Sequence, residues 1–357
     1  MRRTLVAGAL AMVALLTNVT GAAASERAEP EAVPYTAWTW NISGHKMNQG
    51  RTDNGLVEEA VGSIRRAENA VDFVSFNEIC HSQYRSIRTA LASWNPDNPS
   101  YARFQESIPA GSRDDGPGHA SICGGEPFGK AIFSRHELGK AEYRTFAQES
   151  GLFYLSADDV LHPVTNGLLC APLVDRPNMK FCSVHISPVS REATPTEEAK
   201  PYGYRQLAEL RGVLDGFAAA GQTYMVAGDF NGEPYDGRLN QLYAKGVAAA
   251  DPKDSENNYG AHRELDDLGG SCPGYGEPTS NTPETGLRCG LPLVKIDMIF
   301  VRADRLASGD YTADAKATPD CTAIKNGVLV PGTTTPCSDH RVLIGRATLL
   351  VDPPAAA

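Results

Sequence analysis

Nine short apolar runs, each four to nine residues long, recur along this 357-residue chain. They fall at 35–42, 73–76, 101–106, 130–133, 168–173, 180–186, 223–227, 295–301 and 342–350. Runs of this length suit strands better than helices. They lack strict alternation, which indicates strands covered on both faces. Three segments, 54–67, 81–94 and 202–219, carry apolar residues at three-to-four spacing and read as helices. The stretches 109–129, 232–294 and 304–338 are rich in Gly, Pro, Asp and Asn and read as excursions from the core. No fixed-period repeat and no convincing linker divides the chain. One α/β domain is therefore expected over 35–352, with a short tail at 353–357.

The first 24 residues have the layout of a secretory signal peptide: Arg2-Arg3, an apolar run over 5–16, then Gly21-Ala22-Ala23-Ala24. Residues 25–34 read as a flexible lead. The apolar run is short for a membrane span and nothing later approaches one, so a secreted, monomeric protein without a transmembrane segment is expected. The eight cysteines then read as four disulfides, and the absence of Cys-x-x-Cys argues against zinc. Sequential pairing is the simplest arrangement. Cys170 and Cys182 would face each other across a hairpin turning at 175–178. Cys272 with Cys289 and Cys321 with Cys337 would close loops, which leaves Cys80 with Cys123. The formal charge of −10 argues against a long basic nucleic-acid surface. It does not argue against a nuclease, because a bound divalent cation supplies local positive charge.

Several runs carry polar groups at or next to their ends. Residues 223–231 are the clearest case: an apolar strand stops at Gly228, and Asp229 and Asn231, two positions apart, project together. Elsewhere the same pattern delivers Asn41, Glu78, His185, Asp297 and the Ser338-Asp339-His340 turn. Each has an ordinary reading alone: a turn residue or glycosylation sequon at Asn41, a helix cap at Glu78, a core histidine at His185. Gathered on one sheet edge they describe a site, since stranded charges at buried strand ends are costly unless paired or metal-bound. Glu78 is a hard oxygen ligand for Mg²⁺, with Ca²⁺ or Mn²⁺ as alternatives. His340 can act as general base with Asp297 as its carboxylate partner. Asp229 can hold an attacking water, Asn231 can donate to a phosphoryl oxygen, and His185 can donate to the phosphate or the leaving group.

Taken in order, Trp40-Asn41-Ile42, Asn77-Glu78, His185, Gly228-Asp229-Phe230-Asn231, Ile296-Asp297 with Ile299-Phe300, and Ser338-Asp339-His340 resemble the endonuclease/exonuclease/phosphatase superfamily. Pancreatic-type deoxyribonucleases, abasic-site endonucleases, neutral sphingomyelinases and inositol polyphosphate phosphatases belong to it. The resemblance implies a four-layer α/β sandwich, two mostly antiparallel sheets packed face to face with helices outside. It also implies metal-dependent hydrolysis of a phosphate ester. By motif, Asn41, Glu78 and Asp339 carry over to the metal, and Asn41, Asn231 and His185 to the substrate phosphate. His185, Asp229, Asn231, Asp297 and His340 carry over to catalysis. Lys130 to Arg135 resembles the family's mid-chain strand. The carboxylate that supports the first histidine in the deoxyribonucleases has no clear counterpart, Glu106 being the nearest, and the substrate-contacting tyrosine is unassigned.

A secreted endonuclease acting on DNA or RNA is the leading expectation. A lipid phosphodiesterase of sphingomyelinase type would need an exposed apolar hairpin for membrane contact, and none is visible in the long loops. A non-catalytic binding protein on the same scaffold would have lost a motif. A phosphomonoesterase would want clustered cations, whereas Arg135, Arg288 and Lys295 are scattered.

Overall fold

The computed structural model describes residues 29–66, 70–94, 99–147, 150–188, 202–246, 257–268, 272–283 and 290–354. The segment 1–24 and the first part of the expected lead lie outside the described residues, as do Cys289, Arg288 and the end of the tail. In chain order the first elements are β1 (Glu31–Asn41), α1 (Leu56–Arg65), β2 (Phe73–Cys80), α2 (His81–Ala90), β3 (Ala102–Ile108), β4 (Arg113–Asp114) and β5 (Phe128–Ser134). Then come β6 (Glu142–Thr145), β7 (Phe153–Leu155), β8 (Leu161–Pro163), β9 (Gly167–Pro172), β10 (Met179–His185) and α3 (Tyr202–Ala219). The last are β11 (Thr223–Asp229), β12 (His262–Glu264), β13 (Asp297–Arg302), β14 (Leu306–Lys316), β15 (Asp320–Lys325), β16 (Val328–Pro336) and β17 (Val342–Val351).

Two six-stranded sheets dominate, with strand orders β14-β17-β1-β2-β5-β3 and β12-β13-β11-β10-β9-β6. Neighbours are antiparallel except β1 with β2 and β10 with β11. Each parallel pair needs a crossover on the sheet face, which α1 and α3 respectively provide. The apolar residues of α1 (Leu56, Val57, Ala60, Val61, Ile64) form one stripe and pack with Trp38, Trp40, Phe76 and α2 residues outside the first sheet. Leu207, Leu210, Leu214 and Phe217 of α3 cover Tyr224, Val226, Met298 and Phe300 outside the second. Between the sheets lies a separate core that includes Tyr35, Phe73, Ile132, Phe181, Met225, Ile299 and Leu343. The layers therefore run helix, sheet, sheet, helix, as the resemblance implied.

Alternation along the central strands decides what reaches the site. In β11, Tyr224 and Val226 face α3 while Met225 and Ala227 face the other sheet. Asp229 continues that inner series. By the same count Asn41 follows Ala37 and Thr39, and Asn77 follows Phe73 and Ser75. Along this inner layer the contacts change from apolar to polar. Phe73 stacks on Phe181 at 4.7 Å, then Ser75 Oγ donates to Ser183 Oγ at 2.8 Å. One step further, Asn77 Oδ1 accepts from the Asp229 amide at 2.8 Å.

Four expectations are corrected. The stretch 304–338 is not an excursion: β14 is an edge strand of the first sheet, and β15 and β16 form a hairpin closed by Cys321–Cys337. Its Thr, Asp and Gly content suits exposed edge strands, which made it look like loop. Likewise β12, inside 232–294, forms the edge of the second sheet. Finally β1 starts at Glu31, within the expected lead, because Glu31 to Pro34 pair with Val351 to Thr348. The helix expected over 81–94 ends at Ala90 and is followed by a 3₁₀ turn at Ala92–Trp94.

The disulfides Cys80–Cys123, Cys170–Cys182 and Cys321–Cys337 form as sequential pairing required. Cys170 and Cys182 sit directly opposite in the β9–β10 hairpin. Cys272 is also disulfide-bonded.

Candidate active site

Three backbone features aim the strand ends. The β2–β5 register shifts between Phe76 and Ile79, and inside that bulge Glu78 has φ +54°. A bulge of this kind turns a side chain out of its expected alternation. Asn231 has φ +48°, and such strained conformations are characteristic of functional sites. At Gly228, φ +148°, a Cβ would lie 2.0 Å from Val184 O of the neighbouring strand β10 and 2.8 Å from Asn77 Oδ1 of the other sheet, so only glycine fits.

The side chains converge. Asn41 Nδ2 donates to Glu78 Oε1 at 3.1 Å and to Asp229 Oδ2 at 3.0 Å. Asp229 Oδ1 accepts from the Asn231 amide at 2.8 Å. Its Oδ2 lies 3.6 Å from His185 Nε2 and 3.8 Å from His340 Nε2. His340 Nδ1 meets Asp297 Oδ2 at 2.8 Å. Asn231 Nδ2 donates to Ile186 O at 2.8 Å and lies 3.3 Å from His185 Nε2. A phosphoryl oxygen could take an Asn231 hydrogen only by displacing the longer contact. Asp339 is half-buried, and its charge bears on both Glu78 and His340. Asn41 is 1% exposed, which closes the sequon to modification.

Burial sets the electrostatics. It raises the Glu78 carboxyl above its ordinary range and the Asp229 carboxyl to about 7. It pulls His185 down to about 3, helped by the charges of Lys130 and His340. Burial also pulls on His340, but the Asp297 charge and hydrogen bond, with Asp229 and Asp339, carry it up to about 10. The Glu78 and Asp229 carboxylates, joined by the Asn41 amide, form a hard-oxygen pair that fits a divalent cation, and Asp339 is close enough for its charge to bear on Glu78. Asp229, Asp297 and His340 also have ligand atoms within 4.8 Å of one another. There the Asp297 oxygen is already bonded to His340 Nδ1, so this trio is better suited to moving a proton than to holding a metal.

Sequence reasoning overlooked the groups that hold these side chains. Ser338 Oγ donates to Asn41 O at 2.7 Å and accepts from the His340 amide at 3.0 Å, tying both ends of the chain together. Trp40 Nε1 donates to His340 O at 3.0 Å. Thr279 Oγ1 accepts from the Ile296 and Asp297 amides at 3.0 and 2.8 Å. Ser338 stood inside a quoted motif, but Thr279 lies in a loop with no signal. Lys130 is buried behind His185, its Nζ donating to Gly167 O at 2.8 Å, and burial lowers it to about 7. Glu106 makes no contact with His185, whose nearest carboxylate oxygens among the described residues belong to Asp229 and Glu78 (4.0 Å). Lys295 is fully buried against Asp266 at 2.5 Å, so it cannot reach substrate.

The endonuclease/exonuclease/phosphatase family model matches residues 38–340. Among solved structures, an endonuclease/exonuclease/phosphatase from Beutenbergia cavernae is similar with TM-score 0.52 and 17% identity, covering 91% of this chain and 74% of that one. A protein of the same family from Bacteroides thetaiotaomicron gives TM-score 0.50 and 10% identity over 89% and 98%. Sphingomyelinase C from Streptomyces griseocarneus gives TM-score 0.50 and 17% identity over 88% and 99%. At such identities the likeness is one of fold. A comparison with curated proteins returns no match.

Proposed function

Because the chain belongs to the endonuclease/exonuclease/phosphatase family, whose members are metal-dependent phosphodiesterases and nucleases, we propose that it is a secreted endonuclease that cuts DNA or RNA using Mg²⁺. The observation that carries the site assignment is the His340–Asp297 bond on the rim that also holds Asp229, Asn231 and Glu78. The disulfides Cys80–Cys123, Cys170–Cys182 and Cys321–Cys337 support export to an oxidising compartment, and no described helix is long and apolar enough to cross a membrane. We propose residues 35–352 as the catalytic unit, acting as a monomer.

A divalent cation held by Glu78, with Asp229 and Asp339 alongside, would supply positive charge to phosphoryl oxygens and lower the proton affinity of His340. Asp229 Oδ2 faces both imidazoles and is placed to orient the attacking water. Asp297 fixes the His340 ring and tautomer, so that Nε2 is the atom that holds or moves the proton. His185 stays neutral near physiological pH and contacts the phosphoryl group together with Asn231, and Asn41 joins them by exchanging one of its bonds to Glu78 or Asp229. This is acid–base and electrostatic catalysis of a phosphodiester displacement, with no covalent enzyme intermediate.

A second reading gains from one observation. The β7–β8 hairpin exposes Leu152, Phe153, Val160 and Leu161, the kind of apolar hairpin not found in the sequence. It would suit a lipid phosphodiesterase. Its turn, however, presents exposed Asp158 beside an Asp159 paired with Arg113, and the Asp158 charge opposes insertion tip-first. The test is to incubate the protein with plasmid DNA, RNA or sphingomyelin vesicles, each with Mg²⁺, Ca²⁺, Mn²⁺ or EDTA. Metal-dependent nicking of nucleic acid is expected. Intact DNA and RNA throughout, with sphingomyelin hydrolysed, would overturn the first reading in favour of the second.

A further inference from the structure

Beside Glu78 lies a cleft of about 690 Å³, lined by His45, Lys46, Gln49, Asp114 and Ser121 among others. One wall is the turn that follows Asn41. Its Gly44 amide donates to Glu78 O at 2.8 Å. Asn48, 2% exposed, braces it by donating to Ile42 O, Ser43 O and Cys337 O at 3.0, 3.3 and 2.7 Å. The opposite wall is the segment around Cys123, whose disulfide to Cys80 anchors it two residues beyond Glu78. The walls also touch: the Cys123 amide donates to His45 Nδ1 at 3.2 Å. Both walls are thus fixed to the strand end that carries Glu78, so the cleft keeps a set position relative to that carboxylate.

Its chemistry favours an acceptor-rich ligand. Because His45 Nδ1 accepts a bond, the proton of the neutral ring is on Nε2, and burial favours that neutral form. Gln49 and Ser121 offer further donors, and Lys46 offers an ammonium close enough for its charge to lower Glu78. Among the described residues Asp114 is the one carboxylate that lines the cleft, and its Oδ1 accepts from the Ala120 amide at 2.9 Å within its own turn.

Resting on the nucleic-acid reading above, we infer that this cleft binds the phosphate next to the scissile one on the substrate strand, with Lys46 as its charged contact. The cleft selects for a polymeric substrate, because a single diester has no second phosphate to place there. It belongs to binding, so it acts on KM.

The test compares wild type, Lys46→Ala and Lys46→Arg on a single-stranded oligonucleotide and on bis(4-nitrophenyl) phosphate. Lys46→Ala is expected to lower kcat/KM on the oligonucleotide about tenfold, mainly through KM, and to flatten its salt dependence by about 0.7 in log–log slope. The fall on the small diester should be at least about fivefold smaller, because the cleft is not used there. Lys46→Arg should recover most of the oligonucleotide activity, since it restores the charge. An equal fall on both substrates, or undiminished oligonucleotide turnover in Lys46→Ala, overturns the inference. Wild-type protein that leaves the oligonucleotide intact in every divalent cation defeats the nucleic-acid reading itself, and the inference falls with it before any variant is compared.

Discussion

His340 and Asp297 are joined by a 2.8 Å bond between Nδ1 and Oδ2, although they stand 43 positions apart, Asp297 opening β13 of one sheet and His340 preceding β17 of the other. That bond leaves Nε2 facing Asp229 at 3.8 Å. Asp297→Asn keeps the shape but removes the charge that holds the imidazole. Turnover should fall about 10²-fold or more, in the range general acid–base groups contribute. In cation-free protein the His340 resonance should titrate well below the wild-type position near 10. Unchanged kcat in the variant would remove His340 from proton transfer.

The contribution of His340 to the stability of the cation-free protein should fall as pH rises. His340 is raised from 6.5 to about 10 in the folded state, so its contribution is complete below 6.5 and is lost as pH climbs through 10. Asp229, raised from 3.8 to about 7, works in the same direction between those values. Urea unfolding of wild type and His340→Gln at pH 6, 8 and 10 isolates the first contribution. The wild-type advantage should shrink across the series, and a gap that widened with pH would contradict the assignment.

Glu78→Gln should weaken Mg²⁺ or Mn²⁺ binding by about 10–100-fold, measured by calorimetry on the folded variant. The same divalent cation should raise the wild-type Tm, since it binds the folded state preferentially. A variant that binds the cation as tightly as wild type would place the metal elsewhere.

Gly228→Ala forces a Cβ to 2.0 Å from Val184 O at a φ of +148°. A loss of about 3 kcal/mol or more in denaturant unfolding is expected, together with loss of activity. Destabilisation below about 1 kcal/mol would mean that the strand end relaxes easily.

Removing Cys170–Cys182 as a double Ala variant should cost about 3 kcal/mol, because the bond closes a short loop of separation 12. Cys80–Cys123, with separation 43, should contribute more, about 4 kcal/mol. Losing it should also raise KM for a polymeric substrate, because it anchors one wall of the cleft beside Glu78.

The motif residues were legible because each stands at or near an end of an apolar run, where a strand starts or stops. Periodicity also located α3 at its observed bounds. Strands β14 to β16 were not legible, because edge strands facing water carry the same Thr, Asp and Gly as loops. The support given by Thr279 was equally invisible, since a hydroxyl that serves amides 17 and 18 residues away leaves no local pattern. Spacing told which side chains stand at strand ends, whereas the partner each one finds depends on how two sheets lie across one another.

The graded layer between the sheets, from Phe73–Phe181 through Ser75–Ser183 to Asn77 and Asp229, bears on what random mutagenesis will recover. Half of the reacting groups hang from each sheet, so their mutual distances are set by how closely the sheets sit at this end. A genetic screen for clones that express well yet lack activity should therefore return Ser75 and Ser183 alongside Asp229 and His340. Bulkier residues at those two serines would wedge the sheets apart and separate the halves of the catalytic apparatus without touching either.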